Sequence, residues 1–157
     1  MSKKDLKKQK QDNSINATNR WIILSIILTV FALYIRTVDY DFTLDDGLFY
    51  TQNKTVQQGF KGIPQIFKEN SLIGAFNSKD IDDVYRPVTL STFAIQKNLF
   101  GISSAAGHFF SVLLYALCGL LIFSFLKKLF TSWPLWLSGA ITILFLVHPF
   151  IPKLFVA

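Results

Sequence analysis

The chain has 157 residues, of which 51% are hydrophobic and only 17% charged, and its mean hydropathy is +0.38. Soluble domains carry about a quarter charged residues, so this balance excludes disordered, collagen-like and disulfide-stapled chains and fits a small integral membrane protein. The formal charge of +6 is unevenly spread. Residues 1–20 hold Lys3, Lys4, Lys7, Lys8, Lys10 and Arg20 against Asp5 and Asp12, whereas 39–106 hold six basic and eight acidic residues. No basic stripe or motif accompanies the charge, which excludes nucleic acid as a partner and reads as membrane topology.

In chain order, residues 1–20 read as a basic cytoplasmic tail. Residues 21–38 follow as a first transmembrane helix, with Arg20 and Arg36 snorkelling to opposite interfaces. A signal peptide is the rival reading of this stretch, but Tyr34-Ile35-Arg36-Thr37-Val38-Asp39 holds no small-x-small cleavage site. Residues 39–106 form a long loop. Within it, Thr55–Phe67 predicts one or two short amphipathic helices broken by Gly59, Gly62 and Pro64. Pro87–Phe100 has proline at its start and Gly101 after its end, which predicts a helix; too short to span, it is expected to lie along the bilayer surface.

Residues 107–126 read as the second transmembrane helix, inside the uncharged run Ala105–Leu126 that ends at Lys127-Lys128, and 127–133 as a tight turn. The third, 134–151, is expected to be capped by Ser132, with Pro134 in its first turn and Pro149 and Pro152 limiting its far end. Trp133 and Trp136 suit the membrane interface. Both basic clusters fall on one side of this three-span topology, so the N-terminus and the 127–133 turn face the cytoplasm and residues 39–106 face outward. The fold class is thus an all-α membrane protein: three transmembrane helices with a helical extracytoplasmic loop between the first and second.

The candidate chemistry lies mostly in that loop. Asp45 and Asp46 form an adjacent carboxylate pair, which can act as a general base, hold a divalent cation through oxygen ligands, or simply make a solvated Asp-Asp-Gly turn. Arg86, in Tyr85-Arg86-Pro87, can clamp a phosphate bidentately or bind lipid headgroups without specificity. Asp80, Asp82 and Asp83 lack the EF-hand pattern and read as a solvated loop. His108 and His148 both fall toward the outer face, without ligand-spaced partners. Asn16-Ala17-Thr18 and Asn53-Lys54-Thr55 match the glycosylation triplet, the first on the cytoplasmic side.

One ordered set stands out: an acidic pair after the first span, Gln52-Asn53-Lys54, Ile66-Phe67, Tyr85-Arg86-Pro87-Val88-Thr89, Gly107-His108 and His148-Pro149. From Asp39 to Pro149 this order resembles the N-terminal region of GT-C-type membrane glycosyltransferases, chiefly the transmembrane and tetratricopeptide-repeat O-mannosyltransferases and their bacterial relatives. The resemblance implies a partial GT-C fold in a bacterial inner membrane. It also implies transfer of a sugar from a polyprenyl-phosphate donor to a protein hydroxyl outside the cytoplasm. Asp45 or Asp46 would then be the catalytic base and Arg86 the donor-phosphate ligand, with Tyr85, His108 and His148 as further candidates. The expected partners are membrane lipid, the lipid-linked sugar and a protein acceptor; a divalent cation on Asp45 and Asp46 is the one possible cofactor.

The family pattern continues His-Pro-x-His-Thr-Glu-Val-Val, where this chain reads His148-Pro149-Phe150-Ile151-Pro152-Lys153-Leu154-Phe155. Codons for His-Thr-Glu-Val-Val, read one nucleotide out of frame, give Phe-Ile-Pro-Lys-Leu-Phe. The expectation is therefore a frameshifted tail over 152–157 and a truncated enzyme, inactive by itself. The alternative is a small three-span scaffold or subunit that binds a partner through its outer loop. A transporter is disfavoured, since no span carries a charge at mid-depth.

Overall fold

The structure, a computed structural model, describes residues 3–42, 46–76 and 85–148, with residues 3–4 and 6–13 described by backbone alone. Among the described residues every regular element is helical: α1 (Lys3–Tyr34), α2 (Lys54–Gln57), α3 (Ile63–Ile66), α4 (Ile73–Phe76), α5 (Pro87–Phe100), α6 (Ser104–Leu129) and α7 (Leu135–Val147). Short 3-10 segments cover Ile35–Asp39 and Gly59–Gly62, and a π-helical turn covers Gly47–Thr51. The chain divides into two compact units, residues 36–110 forming one and the segments on either side the other. Asp45, the Asp80–Asp83 cluster and the tail from Pro149 onward lie outside the described residues.

The first unit is built from α1, α7 and most of α6. The apolar segment Ser14–Asp39 and helix α6 are each 26 residues long, with only 17% and 28% of their apolar windows buried. At 1.5 Å per residue each reaches ~39 Å, more than the ~30 Å of a bilayer core. A soluble core helix of this apolarity would be mostly covered. Here Leu28, Leu121, Phe125 and Leu144 stay exposed. Both helices are thus long and apolar enough to cross a membrane. α1 also differs from the expected 21–38 span in continuing back through the basic segment to Lys3.

α7 corrects two expectations. It ends at Val147 rather than near Ile151, because His148 takes extended backbone (φ −60°, ψ 126°), as a residue before proline does. Its 13 residues cover ~20 Å. Its N-cap is Pro134, extended at ψ 139°, and Ser132 makes no cap. Proline there presets the turn and has no N–H to satisfy.

Inside this unit Ile26, Val30, Val112, Ala116, Phe123 and Leu146 form the apolar core. Two glycines let the helices close up. A Cβ on Gly119 would sit 2.8 Å from Leu146 Cδ1, and one on Gly139 would sit 2.7 Å from Ile22 Cγ2. Small residues at crossing points are how helices pack where lipid supplies no hydrophobic drive between them. Gly139→Leu is expected to cost about 1–3 kcal/mol by overpacking, read as lower thermal stability in detergent, and Gly139→Ala less, although its Cβ already meets the stiff β-branch of Ile22. The contacts also set direction. Ile26 meets Gly119 while Asn19 meets Lys127, so α6 runs antiparallel to α1; Ile22 meets Gly139 while Tyr34 meets Leu146, so α7 runs parallel to it.

The second unit has its own core of Tyr50, Val56, Ile66, Leu90 and Ala94, with Phe42, Phe49, Ile63 and Phe93 packed around it. α5 has the boundaries its sequence predicts, with Gly101 at φ 74° where a side chain would be strained. It is the spine of this unit: α2, α3 and the Gly59–Gly62 turn pack on it, and it buries Leu90, Ala94 and Gln96. Part of the apolar stripe expected to face a bilayer therefore faces the unit's own core. Thr55–Phe67 forms short helical pieces as predicted, its first turn capped by Asn53.

Candidate functional site

The second unit brings Asp46 and Arg86 together. They line one small cleft with Phe49, Thr89, Leu90 and Phe93, about 120 Å³ in volume. Asp46 precedes the π-helical turn, its backbone already helical and its side chain making no cap bond. Arg86 precedes α5. Its φ of −127° keeps it out of the helical region, as Pro87 requires, and its backbone N–H donates to Ser71 Oγ at 2.8 Å. The guanidinium carbon stands 5.4 Å from the Phe49 ring centroid, a cation–π arrangement that fixes the long side chain against one wall.

The shell behind the cleft is hydrogen-bonded. Tyr85 donates its hydroxyl to the Phe67 carbonyl at 2.8 Å, so it acts as a strut rather than a group turned into the cleft. Tyr50, on the π-helical turn, is 2% exposed and donates to the Gly101 carbonyl at 3.0 Å. Burial holds its phenol above the ordinary 10.0, against the opposing pull of a backbone hydrogen bond at Ser103. Asn53 accepts from Thr55 N and Val56 N at 3.1 Å each and donates to the Ser71 carbonyl at 2.8 Å. Ser71 therefore links the α2 cap to the Arg86 backbone. A Cβ on Gly74 would run into Asn53 Oδ1, which leaves glycine as the residue that fits there. Asn53 is 1% exposed with its amide engaged, so the outer glycosylation triplet is closed to modification in the folded unit.

The remaining candidates lie elsewhere. Asp45 is outside the described residues. His108 opens α6 within the second unit, its Nε2 buried and without a hydrogen-bond partner among the described residues, and does not line the cleft. His148 is exposed at the end of α7 and belongs to the first unit. The expected cation fits the described cleft poorly. Divalent cations take several oxygen ligands, whereas the cleft offers Asp46 as its one described carboxylate, with a guanidinium on the same wall. Among the described residues no three His, Cys, Asp or Glu cluster. Phe49 and Phe93 were not legible as site residues, because an aromatic wall carries no spacing signature. Compared with known proteins, the chain matches no family model, no curated protein and no solved structure.

Proposed function

We propose that this chain is a three-span membrane protein whose loop unit holds the acceptor-activating and phosphate-binding groups of a GT-C-type glycosyltransferase. In this reading α1, α6 and α7 insert in a bacterial inner membrane, α7 being the short one. The basic N-terminus and Lys127-Lys128 stay in the cytoplasm and residues 36–110 lie outside. The observation that supports it is the cleft itself. Asp46 and Arg86, far apart in sequence and suited to complementary roles, line one cavity.

The chemistry follows from the pair. The Asp46 carboxylate takes the proton of an acceptor Ser or Thr hydroxyl as its oxygen attacks the anomeric carbon. The sugar–phosphate bond breaks and the polyprenyl phosphate leaves with the electron pair, its charge balanced by the Arg86 guanidinium. Arg86 is exposed, and the Phe49 ring 5.4 Å from its guanidinium limits the orientations the long side chain takes. A cleft of about 120 Å³ accommodates a phosphate and the edge of a sugar ring. Sites for drug-sized ligands occupy roughly 300–1,000 Å³. The prenyl chain and the rest of the sugar need cover from further protein, so the 157-residue chain alone is expected to bind the donor headgroup without turning it over.

The test is binding of a short-chain polyprenyl phosphate to the chain in lipid nanodiscs. Arg86→Ala is expected to remove a charged hydrogen bond of about 1.5–3 kcal/mol, a loss of roughly 10–100-fold in affinity. Arg86→Lys should recover only part, since the bidentate fork is gone. Equal affinity in all three proteins would contradict the assignment, and specific capture of a protein partner by the loop instead would favour the scaffold reading.

A further inference from the structure

A second cavity lies in the first unit, at the end where α6 finishes on Lys127-Lys128 and α1 carries Arg20. It is the larger, about 430 Å³, and its wall includes Asn16, Asn19, Lys127, Thr131, Trp133 and Leu135. We propose that it binds the phosphate of an anionic phospholipid. The inference rests on the membrane placement of this unit and is independent of the glycosyltransferase reading.

Four observations converge on that ligand. First, no carboxylate is among the described residues that line the cavity, while Lys127 is, with Lys128 beside it in the last turn of α6. Second, the Lys127 ammonium has three donors. Among the described residues it makes one long contact, 3.5 Å to Asn19 Oδ1, and rides 5.9 Å from the Phe123 ring. Donor capacity therefore remains for a phosphate oxygen, and the Asn16 amide and Thr131 hydroxyl stand on the same wall. Third, α7 begins at this wall with Leu135, so the positive end of its backbone dipole favours an anion there.

Fourth, all three tryptophans of the chain lie toward this end, Trp21 on α1 and Trp133 and Trp136 at the start of α7. Trp133 stacks on Phe130, centroids 4.0 Å apart and planes within 9°. Tryptophan concentrates at headgroup depth, which puts the Lys127 ammonium where a lipid phosphate sits. Basic pockets between membrane helices on the cytoplasmic side take anionic headgroups of this kind.

Native mass spectrometry of the purified chain, carried from vesicles of phosphatidylcholine with or without phosphatidylglycerol, tests this. The expected result is one phosphatidylglycerol retained in preference to phosphatidylcholine, with Lys127→Ala and Lys127→Gln each weakening retention about tenfold. Helical circular dichroism identifies a variant that misfolds; the Thr131→Val variant, which leaves all charges in place, should weaken retention severalfold. Equal retention of both lipids, or retention unchanged in all three variants, overturns the proposal. Displacement of the adduct by millimolar inorganic phosphate would mean that the cavity recognises free phosphate, which also overturns it. Failure of the chain to float with the vesicles would overturn the membrane placement itself.

Discussion

Removing the hydroxyls of Tyr34 and Tyr115 together is expected to destabilise the three-helix unit by about 3 kcal/mol, more than the two single changes added. Both phenols donate to the same acceptor, the Leu146 carbonyl, at 2.8 and 3.0 Å. That carbonyl lies in the last turn of α7, where helical carbonyls lack intrahelical donors, and its side chain is fully buried. A buried carbonyl left without any donor pays its full desolvation cost. Tyr34→Phe or Tyr115→Phe leaves one donor in place and should cost about 1 kcal/mol each. The rings meet edge to face at 5.1 Å, a contact phenylalanine retains, so the cycle isolates the hydroxyls. Unfolding in mixed micelles followed by circular dichroism reads the difference. Additive single effects would show that the carbonyl has another donor.

In the loop unit the largest single effect is expected at Asn53. Asn53→Ala removes a helix cap, worth about 1 kcal/mol. It also strips the donor from the buried Ser71 carbonyl, worth about 1–3 kcal/mol. Ser71 holds the Arg86 backbone through its hydroxyl. The substitution should therefore loosen the cleft as well as lower stability. Asn53→Ser restores an N-cap acceptor but is too short for the Ser71 carbonyl, so it should recover roughly 1 kcal/mol and leave the Arg86 defect. Hydrogen exchange of the 85–95 amides beside global unfolding separates the two effects. Unchanged exchange at Arg86 in both variants would sever the proposed link.

Local signals in the sequence carried furthest where a residue acts alone on its backbone. Pro87 and Gly101 bound α5 at both ends because each dictates a dihedral independently of what packs nearby. Hydropathy overruns the end of α7, because it continues past Val147 while the backbone restriction from Pro149 already acts at His148. Ser132 looked like a cap on preference alone, yet Pro134 already supplies the extended residue that starts the helix. The partners that Leu90 and Ala94 of α5 pack against, Tyr50, Val56 and Ile66, left no periodic trace, because they come from pieces of four or five residues too short to show a period. Asp46 and Arg86 were each legible from their chemistry. Their shared cleft was not, since it depends on a π-helical turn and on the Asn53–Ser71 link.

Every functional reading here requires the loop unit to lie outside the cytoplasm, with the α6–α7 turn on the opposite side of the membrane. Single cysteines placed on a Cys118→Ala background test this in intact cells with a membrane-impermeant maleimide. Gln65→Cys and Ser132→Cys occupy exposed positions, the first in the loop unit and the second in the turn. Labelling of the first in intact cells, and of the second only after permeabilisation, is the predicted result. The reverse pattern, or labelling of neither until the cells are opened, would contradict the topology and with it the proposed sugar-transfer site.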